Sequence, residues 1–268
     1  MTRFVHLTDL HVSHPDADDA HLQSDTPETL RRVVAVINDM TPQPDFVVAS
    51  GDLTNQGDVQ SYELVRDTFA GLRVPLILAL GNHDKRAAFN AVFSPGVGDA
   101  PYFHDSSHGD LHVITLDSSV PGQVAGAIDA AQFDYLAAAL GRHPEMAKLI
   151  VMHHPPRVDP DALLWGSLDT NSSERLADLL RGRDVAGILS GHVHINQVSH
   201  WHGIPVVISN GLHSTVDLME TTDLRIVEGT GFGLGDWRPS GLSVSFVPLS
   251  PVARELGLID RTRLAAFR

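Results

Sequence analysis

Pro75-Leu76-Ile77-Leu78-Ala79-Leu80-Gly81-Asn82-His83-Asp84 is the stretch whose reading decides the fold. An apolar run of this length, closed by proline and glycine, has the dimensions of a buried strand. It stops at Gly81 and releases an amide, an imidazole and a carboxylate side by side. Four other apolar runs end in the same way. Residues 4–8 lead to Asp9 and His11, and residues 45–50 lead to Gly51-Asp52. Residues 148–152 lead to His153-His154-Pro155, and residues 186–189 to Gly191-His192-Val193-His194.

Helical periodicity fills the intervals. Thr26-Pro27 predicts an N-cap with proline at the first helical position, and Leu30, Val33, Val34 and Ile37 carry that helix to about residue 40. Further helices are expected at about 58–72 and 84–93, after the capping-box pattern Asp129-x-x-Gln132, and from Asn171-x-x-Glu174. Another strand is expected at 111–117. From Gln197 onward strands follow one another without helices, at about 197–201, 205–209, 222–228 and 242–247. Strand–helix alternation followed by a run of strands predicts an α/β fold, a layered αββα sandwich with mixed sheets, formed by residues 1–268 as one domain. Residues 212–241, where Gly229, Gly231, Gly233 and Gly235 alternate with other residues, read as a lid or oligomerisation insertion. Phe232 and Trp237 are its candidate contacts. A dinucleotide fingerprint fits poorly there, because it should follow an early strand and open a helix.

Composition narrows the class. With 268 residues, 43% of them hydrophobic and 19% charged, the chain can bury a substantial core and is not of the disordered type. A formal net charge of −14 argues against a nucleic-acid polymer as partner. No apolar stretch reaches the roughly 18–20 residues of a membrane span, and no signal-peptide pattern opens the sequence. A cytoplasmic location is therefore expected. The absence of cysteine excludes thiolate metal sites and disulfides.

Functional groups of α/β sheets gather at the carboxyl ends of the strands, so the five clusters can converge. Singly, Asp-x-His and Gly-Asp are common at strand ends, and His153-His154 can be ordinary loop residues; Gly-His-x-His is more specific. Their conjunction, each behind an apolar strand, carries the argument. Asp, His and Asn without sulfur suit divalent Fe, Mn or Zn. The candidate ligands outnumber what one ion with an open position uses. Two ions sharing a carboxylate fit, and such a pair suits in-line displacement at phosphorus.

Asp9-x-His11, Gly51-Asp52, Gly81-Asn82-His83-Asp84, His153 and Gly191-His192-x-His194 together resemble the signature of the calcineurin-like metallophosphoesterases, over about residues 3–210. Residues 116–122 and His153-His154-Pro155-Pro156 are similar to class III cyclic nucleotide phosphodiesterases and bacterial glycerophosphodiesterases. The resemblance implies one ion on Asp9, His11, Asp52 and His194 and a second on Asp52, Asn82, His153 and His192, with Asp52 bridging. It further implies attack on phosphorus by a hydroxide between the ions, with Asn82, His83 and His194 facing the substrate. His83 would contact the phosphoryl oxygen or protonate the leaving alkoxide, and Asp84 would orient its ring. His154 is not expected to be a ligand.

The expected activity is hydrolysis of a small phosphodiester, with 3′,5′-cyclic nucleotides first and glycerophosphodiesters or phosphomonoesters second. Relatives also suggest a homo-oligomer. The polar loop at 12–25 matches no known substrate loop; with a cyclic nucleotide it would be the purine-side wall. A non-enzymatic scaffold is disfavoured, because no ligand position is lost. A DNA-end nuclease is disfavoured by the charge.

Overall fold

Alternation of side chains along the strands builds two sheets with apolar layers between and outside them. The computed structural model describes residues 1–17, 19, 22, 24–220 and 222–250. The first half runs β1 (Thr2–Leu7), α1 (Thr26–Asp39), β2 (Phe46–Ser50), α2 (Val59–Phe69), β3 (Leu76–Ala79) and α3 (Arg86–Phe93). Then follow β4 (His104–His108), β5 (Leu111–Thr115), α4 (Ala130–Leu140), β6 (Ala147–Val151), a 3-10 turn (Leu164–Gly166), α5 (Thr170–Leu180) and β7 (Val185–Ser190). The last part is all strand: β8 (Gln197–Trp201), β9 (Ile204–Ile208), β10 (Thr215–Val216), β11 (Ile226–Val227), β12 (Thr230–Arg238) and β13 (Gly241–Ser250).

The first sheet has the order β13-β12-β1-β2-β3 and the second β4-β5-β6-β7-β9-β8. Strands β1, β2 and β3 are parallel, as are β5, β6, β7 and β9. Their carboxyl ends therefore share one edge. Phe4, Phe46, Val48 and Ile77 of the first sheet meet Leu111, Val113, Leu149 and Val151 of the second in a layer between the sheets. The alternate residues Val5, Leu7, Val47 and Leu78 point outward onto Val33, Ile37, Tyr62 and Phe89 of α1, α2 and α3. Ile114, Ile150 and Ile188 do the same against Phe133, Leu136 and Leu176 of α4 and α5. The result is the expected αββα sandwich. Phe4 and Phe46 stack at 5.4 Å between centroids, and both are fully buried. Truncating either to alanine should cost about 3–5 kcal/mol.

Two helix starts differ from expectation. Asp25, not Thr26, caps α1 by accepting from Glu28 N, and Asp169, not Asn171, caps α5 by accepting from Ser172 N. In both places an aspartate lies just upstream, and an Asp side chain caps well. Asp129 caps α4 as expected.

The larger correction concerns 212–241. Thr230–Arg238 is not a lid: it pairs antiparallel with β1 and β13 inside the first sheet. Phe232 is fully buried in the core, so it is no oligomer contact. Among the described residues, only the short ribbon β10–β11 stands apart from the two sheets. Among the described residues no helix is long and apolar enough to cross a membrane.

Candidate metal centre

The loops at the shared strand edge bring the clusters together. Asp9 and His11 follow β1, Asp52 follows β2, and Asn82 and His83 follow β3. His153 follows β6, and His192 and His194 follow β7. His194 Nε2 lies 3.2 Å from Asp9 Oδ1 and 3.1 Å from His11 Nε2. His153 Nε2 lies 3.2 Å from Asp52 Oδ2, and His11 Nε2 3.7 Å from the same oxygen. Asp9, His11 and His194 form one cluster of donor atoms within 4.8 Å of one another; Asp9, Asp52 and His153 form another.

The local backbone is strained to achieve this. Asp9 (φ 50°), His11 (φ 44°), Asp52 (φ 48°), His192 (φ 74°) and His194 (φ 52°) all adopt left-handed conformations. Each costs roughly 1–2 kcal/mol for a residue with a Cβ. Close packing does the rest. A Cβ on Gly81 would stand 2.2 Å from Asp52 Oδ1, and one on Gly191 would stand 1.8 Å from Thr8 Oγ1. Glycine at those positions lets the loops press against the carboxylates.

Each ligand-type imidazole has its far nitrogen engaged. His153 Nδ1 donates to the Ser50 carbonyl at 3.0 Å and His192 Nε2 to the Trp165 carbonyl at 2.6 Å. His11 Nδ1 donates to Asn55 Oδ1 at 2.9 Å, and His194 Nδ1 meets Ser214 Oγ at 3.2 Å. Such bonds fix ring and tautomer, and leave the other nitrogen's lone pair for a cation. Asn82 Oδ1 is buried with no hydrogen-bond partner, the signature of an oxygen that needs one.

Electrostatics agrees. Burial would raise Asp9 and Asp52, but His194 and His153 respectively outweigh it and hold both carboxyls well below the usual range. Burial would lower His153, yet Asp52 and Asp9 push it up to about 9, and His194 is raised in the same way. A proton on His153 thus sits against carboxylates where a cation would neutralise the same charge, and metal binding would release it. His11 and His192 are instead held neutral by burial, at about 3 and about 4. The residues present fit a metal site.

His154 lies with His153 and His192 in a third cluster of donor atoms. Its Nδ1 bonds Ser118 Oγ at 2.8 Å and its Nε2 donates to the Val124 carbonyl at 3.0 Å, so both nitrogens are engaged.

Asp84 differs from expectation. It accepts from Leu53 N, Thr54 N, Gly81 N and Tyr62 Oη at 2.8–3.3 Å, and so ties the two loops behind the site. What orients the His83 ring is the Asn55 carbonyl, 2.9 Å from His83 Nδ1. The buried carboxylate is consumed by donors that would otherwise be orphaned. His83 itself is exposed, and its backbone N–H donates to Asp52 Oδ1 at 2.9 Å.

Sequence reasoning missed Asn55, Ser214 and His213. Asn55 lies three residues past Asp52 in the same loop, and that proximity was a usable signal. His213 stands 5.3 Å from the His11 ring, and its Nε2 is buried without a partner.

The sequence model described as Calcineurin-like phosphoesterase matches residues 2–196. The chain belongs to that family. This calcineurin-like phosphoesterase is 35% identical over 222 residues to a probable cyclic nucleotide phosphodiesterase of Rhodococcus erythropolis, covering 80% of this chain and 72% of the relative. It is 29% identical over 212 residues to a probable glycerophosphodiester phosphodiesterase of Arcobacter nitrofigilis, covering 76% of each. Among solved structures, a dimetal phosphatase from Danio rerio superposes with a TM-score of 0.67 at 15% identity, over 93% of this chain and 99% of that one. That last likeness concerns the fold alone.

Proposed function

We propose that the protein is a dinuclear metal-dependent phosphodiesterase acting on a small diester, with 3′,5′-cyclic nucleotides as its first substrate class. The observation that carries this is the pair of donor clusters formed by Asp9, His11, Asp52, His153 and His194, with His192 beside His153, Asn82 Oδ1 buried without a partner, and the four imidazoles pinned from behind. One ion would be held by Asp9, His11, Asp52 and His194, the other by Asp52, Asn82, His153 and His192. Iron, manganese or zinc suits such oxygen and nitrogen donors. Bound there, the pair would supply Lewis-acid neutralisation of phosphoryl charge and water acidified toward neutral pH.

The chain's own residues do the rest. His83 Nδ1 is tied to the Asn55 carbonyl, which leaves Nε2 of an exposed ring to meet a phosphoryl oxygen or deliver a proton to the leaving alkoxide. Asn82 adds an amide beside it. The relative from Rhodococcus supports the cyclic-nucleotide class, and the relative from Arcobacter favours a glycerophosphodiester as second reading.

The test is kcat/KM on metal-reconstituted protein for 3′,5′-cyclic AMP, 2′,3′-cyclic AMP, glycerophosphocholine and p-nitrophenyl phosphate, together with metal content of Asp52→Ala. A lead for 3′,5′-cyclic AMP and a metal-depleted, inactive Asp52→Ala are expected. A fully active Asp52→Ala enzyme would sink the metal reading, and a lead for glycerophosphocholine would replace the substrate.

A further inference from the structure

We propose that the 3-10 turn at Leu164–Gly166, centred on Trp165, is the wall of the cleft on which the planar base of a nucleotide substrate stacks. This rests on the phosphodiesterase reading and deepens it by assigning the side of the cleft that receives the base.

The turn is fastened to the centre through its backbone. The Trp165 carbonyl accepts from His192 Nε2 at 2.6 Å, and the indole lies 5.7 Å from the His192 ring at an interplanar angle of 66°. His192 in turn packs on His154 and His153 at 4.5 and 5.2 Å between centroids. The half-buried indole therefore stands next to the ligand rings with part of its surface open to solvent. Its carbonyl is committed to His192, while its side chain is free to serve another purpose.

The surroundings are apolar and uncovered. Leu163 and Leu164 are 74% and 64% exposed, and Val124 is 53% exposed. Val124 is fastened in the same manner, its carbonyl accepting from His154 Nε2 at 3.0 Å. Two loops thus fix their backbones on His192 and His154, whose rings pack on each other, and leave apolar side chains exposed. Exposed apolar groups gathered at a site mark a place where a ligand binds.

The opposite rim has the other character. Around His11 and His194 lie Asn55, His213 and Ser214, and Asn55 Nδ2 donates to Asp19 Oδ2 at 2.6 Å. An uncharged aromatic base gains little there and much against an indole, whose rigid ring loses few rotamers on binding. The rim at Asn55, His213 and Ser214, and not the loop at 12–25 that the sequence suggests for a purine, is then left for sugar hydroxyls.

The experiment uses metal-loaded wild type, Trp165→Ala and Trp165→Phe. Dissociation constants for 5′-AMP and ribose 5-phosphate, which differ by the base, read stacking without turnover. Wild type should bind 5′-AMP roughly tenfold or more tightly than ribose 5-phosphate, as a base–aromatic stack implies. Trp165→Ala should lose that margin with bound metal and ribose 5-phosphate affinity unchanged, and Trp165→Phe should keep most of it. In turnover, the KM for 3′,5′-cyclic AMP should rise with kcat held, while glycerophosphocholine stays within about twofold. Equal weakening of both ligands in Trp165→Ala would show that the indole only props His192, and overturns the assignment. So does a wild type that binds the two ligands alike. A wild type that prefers 5′-AMP through Trp165 yet does not hydrolyse 3′,5′-cyclic AMP overturns the proposed substrate and leaves the base wall standing.

Discussion

The carbonyl of Ser50 accepts the Nδ1–H of His153 at 3.0 Å, so a strand of the first sheet sets a candidate ligand ring carried by the second. The hydroxyl of the same serine lies 2.8 Å from His6 Nε2, and His6 Nδ1 lies 3.0 Å from Ser209 Oγ. His6 is fully buried and joins the ends of β2 and β9 beneath the site.

That burial makes His6 an acid-sensitive part of the fold. Burial pushes it down from 6.5 to about 4, with Asp9 opposing. The unfolded chain therefore binds more protons than the folded one between those values. Stability from neutral His6 is complete above 6.5 and is lost as pH falls through the window toward 4. At about pH 5 the loss should be about 2 kcal/mol. Urea midpoints of wild type and His6→Gln at neutral and mildly acid pH check this: the variant should lose less. Equal losses would refute it.

Gly191→Ala should empty the proposed metal site without replacing a candidate ligand. The new Cβ would stand 1.8 Å from Thr8 Oγ1 and 2.6 Å from Asp9 Oδ2, so the carboxylate must move. Metal content should fall, and kcat/KM should drop by roughly 10²-fold or more, as misplacement of a catalytic constellation costs. Wild-type metal content with wild-type rate would contradict the packing argument.

His83→Ala and Asp84→Asn should fail in different ways. The His83 ring is exposed, so its loss should leave stability within about 0.5 kcal/mol and metal content intact while kcat falls roughly 10²–10⁴-fold. Asp84→Asn turns an acceptor of several bonds toward donors with an NH2 group, and should cost about 1–3 kcal/mol or more in thermal stability. The reverse pattern, a stable but inactive Asp84→Asn, would restore a direct part for Asp84 in catalysis.

Lys148→Met tests the second sheet away from the chemistry. Lys148 Nζ is directed onto the carbonyls of Arg142, His143 and Met146 at 2.6–2.9 Å, and the residue is buried. Methionine fills the volume and orphans three acceptors. A loss of about 2–4 kcal/mol by denaturant titration is expected, with KM unchanged; a neutral effect would mean that the loop simply turns its carbonyls to water.

What the sequence made legible follows from where the information lies. The seven ligand-type residues were readable because side-chain type and strand-end position both sit in the one-dimensional pattern. β12 was not, because Gly231, Gly233 and Gly235 are poor strand formers. Their role is visible only in three dimensions: a Cβ on Gly235 would stand 2.2 Å from the Phe4 ring. The period-2 alternation was present in the sequence, but glycine concealed its meaning. The groups that pin the imidazoles include the carbonyls of Ser50 and Trp165, and a carbonyl has no letter of its own in a sequence. Asp84 reads from sequence as a partner of His83 because the two are adjacent, whereas its bonds reach back to Leu53, Thr54 and Tyr62.

Asp9, His11, Asp52 and Asn82 hang from the first sheet, and His153, His192 and His194 from the second. A cation gripped by Asp52 and His153 would therefore act as a rivet through the seam of the sandwich. Its binding free energy adds to the cohesion of the two layers, because neither layer alone presents the full grip. Chelation would then loosen the seam as well as silence the chemistry.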